Sequence, residues 1–144
     1  MIIDWKDSDK YKIEQFKECF TKTGFVRIYN LWTPDELDTI NHWFDSVKNW
    51  FLNETNKEKY KSEDDVKEGW TAIEEMFTNP RALNDFKETF EIDHFDEFDW
   101  LPPSLASSLE LAHPLFRNKS LEIVNLFDLM FETQDNLLHN LFSD

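Results

Sequence analysis

Gly24-Phe25-Val26-Arg27-Ile28-Tyr29-Asn30-Leu31-Trp32-Thr33-Pro34-Asp35-Glu36 holds a helix stop, a strand and a helix start in direct succession. Gly24 is the residue type that closes a helix in the left-handed conformation. Phe25 to Tyr29 alternates and is rich in β-branched and aromatic residues, which predicts a short, half-buried strand. Thr33 can accept from a free amide, Pro34 fits a first helical turn, and Glu36 is spaced to reach back and complete a capping box. A single strand held between two helices sets the class as α+β.

Working outward, Ser8 or Asp9 can cap an upstream helix that carries Ile13, Phe16, Cys19 and Phe20 at helical spacing, and Met1 to Trp5 is a short apolar run compatible with a strand. Downstream, Leu37, Ile40, Phe44, Val47 and Phe51, with Trp43 and Trp50 beside them, form one apolar stripe. Asn53 to Glu68 has no comparable stripe and predicts a solvated turn of helix followed by loop. Gly69 to Ile73 and Lys87 to Ile92 read as strands separated by an Asn79-Pro80 break. Trp100-Leu101-Pro102-Pro103 closes an acidic, aromatic stretch, and Asn118 to Phe142 predicts one long helix with Ile123, Phe127, Met130, Leu137, Leu138 and Leu141 on a broad face. The expected whole is one α+β domain over residues 1–144, with two or three amphipathic helices and three or four short strands.

The chain's 144 residues carry 30 Asp and Glu against 15 Lys and Arg, a formal charge of −15. A length of this order buries roughly two-thirds of its unfolded surface, and a hydrophobic content of 40% with 16% aromatics is too apolar for a disordered acidic tail. The charge repels phosphate backbones and anionic headgroups, so neither nucleic acid nor a membrane surface is expected as partner. It is also uneven: residues 82–144 hold 13 acidic and 3 basic groups, and Glu91 to Trp100 has five carboxylates and no basic residue. The one cysteine, Cys19, cannot make an internal disulfide and falls where a buried thiol is the ordinary outcome. No basic segment followed by an apolar run opens the chain, which leads to the expectation of a cytoplasmic protein.

Motifs name no reaction. His94-Phe95-Asp96 matches the His-x-carboxylate half of an iron-binding facial triad, with His113 or His139 as the remaining candidates for a third ligand. With 30 carboxylates in 144 residues, four histidines give roughly 0.8 such matches by chance, and one is present. The acidic run lacks the glycine and spacing of a calcium loop. Two glycines, Gly24 and Gly69, leave no phosphate-cradling loop. A nucleophile elbow is absent, and among so many acids a pair of carboxylates is uninformative. No catalytic, cofactor-binding or metal-binding residue is nominated on this basis.

Taken in order, several pieces resemble the N-terminal region of the isopenicillin N synthase-like Fe(II)/2-oxoglutarate-dependent oxygenases over nearly the full chain. Ile3-Asp4 resembles the opening strand, and Phe16, Gly24-Phe25 and Tyr29-Asn30 resemble the helix, Gly-Phe, strand and Asn that follow. Pro34 to Phe51 is similar to the next helix, and Asn56-Lys57-Glu58-Lys59-Tyr60 to the charged stretch after it. Gly69-Trp70 stands where the family has Gly-Tyr, and Asp85-Phe86-Lys87-Glu88-Thr89-Phe90 resembles its Asp-x-Lys-Glu-x-Phe. Trp100-Leu101-Pro102 and Phe116-Arg117 resemble its Trp-Pro and Phe-Arg, and the final helix resembles the long one before the barrel. The chain departs from the family at Asn30-Leu31-Trp32, where Asn-His-Gly is usual, and its 144 residues contain no jelly-roll barrel. His94-Phe95-Asp96 precedes the long helix, whereas the family's metal motif follows it, and no Arg after Arg117 is placed to grip 2-oxoglutarate.

The resemblance implies a non-catalytic scaffold or partner-docking domain, split or truncated from its barrel, that packs against a barrel-containing oxygenase polypeptide or self-associates. Fe(II) and 2-oxoglutarate are implied for that partner barrel and not for this chain alone. The alternative is a small acidic interaction module, of charge-mimic or inhibitor type, for a basic protein partner. A third reading makes the chain an enzyme by itself through His94 and Asp96.

Overall fold

The computed structural model describes residues 2–62, 68–73, 87–93, 95, 98–132 and 136–142. The fold is α+β, with four α-helices and two small sheets among the described residues. It divides into two compact units: residues 1–41 with 111–144, and residues 42–110. Helices α2 (Pro34–Asn53) and α3 (Pro103–Phe131) each contribute residues to both.

In the first unit β1 (Ile2–Asp4) runs parallel to β2 (Arg27–Tyr29), with Ile3 opposite Ile28, and α1 (Asp9–Lys22) supplies the crossover that parallel strands require. The Trp5 amide extends the pairing by donating to the Tyr29 carbonyl at 2.8 Å. As the sequence predicts, α1 turns Phe16 and Cys19 inward and ends at Gly24, where φ is +71°. There the Gly24 amide reaches back to the Cys19 carbonyl at 3.1 Å and satisfies a carbonyl the helix leaves open. Ile3, Phe16, Leu126 and Met130 form the core, with Trp5, Ile13, Val26, Ile28 and Phe127 packed against it. Each of these large side chains stabilises the unit by about 1.5–3 kcal/mol through burial. β2 is shorter than the stretch Phe25 to Tyr29, since only Arg27 to Tyr29 face a partner strand.

The capping box at the start of α2 is present in both directions. Thr33 N–H donates to Glu36 Oε2 at 2.7 Å, and Glu36 N–H donates to Thr33 Oγ1 at 3.3 Å.

The second unit is built around Trp50, Trp70 and Leu105, with Trp43, Val47, Phe51, Tyr60, Ala72 and Phe90 against them. β3 (Gly69–Thr71) and β4 (Thr89–Glu91) pair antiparallel, Trp70 opposite Phe90. The Trp50 ring meets Phe90 edge-on at 4.9 Å and Phe51 at 5.1 Å. Gly69 has φ of +117°, and a Cβ there would lie 2.8 Å from the Tyr60 carbonyl and 2.9 Å from the Ser62 amide nitrogen, so only glycine fits.

Two expectations are corrected. The turn of helix expected after α2 is the 3₁₀ turn at Lys57–Tyr60, but it is not merely solvated: Tyr60 packs on the core and the Lys57 ammonium lies over the Trp50 and Phe51 rings. The expected helix from Asn118 to Phe142 is instead α3, which starts at Pro103, and a separate α4 (Leu137–Phe142). Pro103 has no amide to lose in a first turn, so the proline pair opens the helix; the Leu105 and Ala106 amides both bond to the Pro102 carbonyl. Pro114 lies inside α3. After Phe131 the backbone turns left-handed at Glu132 (φ +52°) and again at Asn136 (φ +51°), which ends one helix before the next begins. The Asn79-Pro80 break lies outside the described residues.

Candidate functional site

In the first unit β2 leads directly into a polar clamp. Asn30 sits at φ +54°, a conformation asparagine tolerates better than most residues, and its Nδ2 donates to both oxygens of Asp4 at 2.9 and 3.0 Å. The Asn30 amide, then the Lys6 backbone N–H, hold the Asp4 carboxyl below its ordinary pKa. The clamp ties the ends of the two parallel strands together. Beyond it Ile28, Tyr29, Asn30, Leu31, Trp32 and Leu37 line a cleft of about 320 Å³, and the Trp32 ring is braced edge-on by Phe116 at 5.7 Å. The sheet has two strands, so among the described residues no third strand pairs with either outer edge. Ile2 and Tyr29 stand exposed on it. Such an edge presents unpaired backbone groups to an incoming strand.

The second unit has one ion pair knotted into its aromatic core. Lys57 Nζ donates to Glu88 Oε1 at 2.5 Å and to the Phe51 carbonyl at 2.7 Å, while Trp70 Nε1 donates to the same Glu88 oxygen at 2.6 Å. The two charged side chains are only 17% and 21% exposed. They border an open cleft of about 490 Å³, also lined by Glu54, Glu58, Ala72 and Ile73. By accepting from both Lys57 and Trp70, Glu88 fixes β4 against the turn after α2.

At the far end of the first unit Asp128 is 3% exposed and accepts from the backbone of α4, from Leu138 N–H at 2.9 Å and His139 N–H at 2.7 Å. It caps the first turn of that helix from ten positions upstream. The sequence reading did not single out Asp128, Lys57 or Glu88. Asp128 does carry a local signal, as the one charged residue in the apolar run Ile123 to Phe131.

Cys19 is fully buried beside the α1 core, as the sequence predicts. His94 and Asp96 lie outside the described residues. His113 falls within α3 and His139 within α4. Among the described residues no group of three or more His, Cys, Asp and Glu could hold a metal ion. No helix among them is long and apolar enough to cross a membrane. No family model, curated protein or solved structure matches the chain.

Proposed function

We propose that this chain is a non-catalytic scaffold and docking domain of an Fe(II)/2-oxoglutarate oxygenase-like protein, resembling the N-terminal region of the isopenicillin N synthase-like enzymes. Its partner is a jelly-roll barrel supplied outside these 144 residues, and that barrel would hold the iron and 2-oxoglutarate. The observation that carries the reading is the parallel β1–α1–β2 unit, tied by Asp4 and Asn30, whose sheet is left at two strands among the described residues. In the family such strands extend the barrel's major sheet and the helices buttress it. The resembling landmarks also fall in register with elements here: Gly69-Trp70 on β3, Thr89-Phe90 on β4, and Phe116-Arg117 within α3. A cytoplasmic location goes with the reading, supported by the single buried cysteine.

The experiment is size-exclusion chromatography with light scattering on the intact chain, alone and mixed with a barrel-containing oxygenase polypeptide from the same organism. A one-to-one complex that turns over 2-oxoglutarate supports the reading. Separate elution at concentrations well above micromolar, with no change in turnover, refutes it.

A second reading, an acidic module for a basic protein partner, is favoured by the 13 acidic against 3 basic groups of residues 82–144. Binding of a basic protein that does not weaken between low and high salt would refute it.

A further inference from the structure

We propose that the edge of β2 that faces away from β1, together with the cleft beside Trp32, takes an extended segment of a partner protein as an added strand, one in which apolar residues alternate with acidic ones. The direction of the backbone groups selects the edge. Trp5 N–H donates to the Tyr29 carbonyl, and in the parallel register the groups of Arg27 and Tyr29 face β1, so those of Ile28 between them face away from it. Neither the N–H nor the carbonyl of Ile28 is bonded among the described residues. On β1, by contrast, the outward carbonyl of Asp4 already accepts from Asp7 N–H at 3.1 Å, at the turn into α1. That turn closes the end of the β1 edge, whereas the β2 edge runs on into a cleft.

The backbone pair of one residue is too little to hold a segment, because each such bond is worth little net of the water it displaces, so side-chain burial must supply the rest. Beyond Asn30 lies the cleft of about 320 Å³, which no residue of β1 lines and where Leu31, Trp32 and Leu37 are the apolar walls. Phe116 holds the Trp32 ring in place, so the wall is formed before anything binds. Along β2 itself Ile28 packs against the core, while Arg27 and Tyr29 are exposed on the opposite face. A strand laid beside β2 continues both faces: its apolar residues meet Ile28 and the cleft, and the residues between them meet Arg27 and Tyr29.

Charge selects the occupant. Arg27 is exposed and makes no ion pair or hydrogen bond through its side chain among the described residues, in a chain with 30 acidic groups against 15 basic ones. Residues 1–32, which hold β1, α1 and β2, carry 6 basic and 5 acidic groups, whereas residues 33–144 carry 9 and 25. Opposite charges side by side on neighbouring strands attract, so a carboxylate next to Arg27 is favoured. A second copy cannot supply it, because Arg27-Ile28-Tyr29 contains no acidic residue. The proposal rests on the docking reading above and deepens it, naming the edge and the side-chain pattern of the partner segment.

The test is fluorescence anisotropy of the full chain with labelled synthetic peptides of about six residues, the usual length of a strand, at physiological salt. The parent peptide alternates valine with glutamate, a second has lysine in place of glutamate, and two more carry N-methyl groups on one or the other alternate set of amides. An added strand uses only one of its own edges, so one methylated peptide should lose at least about tenfold in affinity while the other binds as the parent does. The glutamate peptide should bind about threefold more tightly than the lysine peptide despite the chain's −15, and Arg27→Glu should reverse that order. Trp32→Ala should cost about tenfold with the circular dichroism unchanged. Equal effects of the two methylations, no binding of the parent peptide, or affinities that neither Arg27→Glu nor Trp32→Ala alters overturn the proposal. Tighter binding of the lysine peptide to the unsubstituted chain overturns it in favour of the acidic-module reading, and a dimer lost in Trp32→Ala overturns it in favour of a second copy. A one-to-one barrel complex that neither substitution weakens keeps the docking reading and overturns this edge; one-edged peptide binding without any barrel complex keeps the edge and refutes the barrel.

Discussion

The Glu88 carboxylate should be worth about 2–3 kcal/mol to the second unit through its bonds to Lys57 and Trp70, more than an exposed ion pair provides. Glu88 Oε1 accepts from Lys57 Nζ at 2.5 Å and from Trp70 Nε1 at 2.6 Å, so Glu88→Ala deletes one charged and one neutral hydrogen bond at once. The neutral bond contributes about 1 kcal/mol, and the charged one about 1.5 kcal/mol at the low end of its range, because about a fifth of each side chain remains in water (17% and 21%). Glu88→Gln keeps an acceptor for Trp70 and loses only the charge, which should cost about 1 kcal/mol. Lys57→Met removes the ammonium from Glu88 and from over the Trp50 and Phe51 rings, with a similar cost. Since the two substitutions remove the same interaction, the double variant should fall short of additivity by about 1 kcal/mol. Urea unfolding followed by tryptophan emission measures all four corners of this cycle, with Trp50 and Trp70 at the centre of the unit as reporters. A coupling below about 0.3 kcal/mol would refute the reasoning, and would mean that solvent screens the pair as it does on an open surface.

Asp128→Ala should release α4 rather than unfold the protein, because α4 buries none of its residues; a lost helix cap of about 1–2 kcal/mol predicts faster hydrogen exchange of the Leu138 and His139 amides by about five- to thirty-fold, measured by exchange with mass spectrometry. Gly69→Ala forces a Cβ to 2.8 Å from the Tyr60 carbonyl at a φ of +117°, and should lower stability by about 2 kcal/mol or more in denaturant melts, whereas Gly24→Ala meets no atom within 4 Å and should cost only about 1 kcal/mol. The Asp4 carboxyl is held below its ordinary pKa first by Asn30 and then by the Lys6 amide, so its stabilising contribution is complete above the ordinary value and disappears as pH falls through the depressed one. Carbon-detected NMR titration should show Asn30→Ala moving the Asp4 pKa upward, and an unchanged value would remove the clamp from the account. The Glu36 carboxyl is likewise held low, chiefly by the Thr33 backbone N–H, and Thr33→Ala should cost about 0.5–1 kcal/mol through loss of the cap.

Local chemistry was legible wherever a single short stretch decides the outcome. Gly24 closes α1 and Thr33 with Glu36 opens α2 because helix ends leave backbone groups that only nearby residues can satisfy. The inward placement of Phe16, Cys19 and Ile40 follows from helical spacing, whereas Leu37 and Phe44 of the expected α2 stripe are exposed and Trp50, expected beside that stripe, is buried. The second half was less legible. The α3 stretch predicts a helix only from Asn118, with Pro102-Pro103 read as a barrier, yet a proline in the first turn loses nothing, and Pro114 inside the long helix costs one hydrogen bond that the rest of the helix offsets. The left-handed turns at Glu132 and Asn136 occur at residues without a glycine signature, so continuing the helix to Phe142 was the natural expectation.

Composition, the −15 charge, the α+β class and the positions of three helix ends were therefore set by residues close together in the chain. Only the tertiary structure could decide which polar groups are consumed in holding the units together. Lys57 and Glu88 are 31 positions apart, and Asn30 and Asp4 are 26. Those pairs form because the packing of strands and aromatic rings brings their ends within hydrogen-bond reach, and no periodicity or spacing rule encodes a contact at that separation. The two-stranded limit of the β1–β2 sheet among the described residues is likewise a property of what the fold leaves uncovered, and it defines the surface on which the proposed function can be tested.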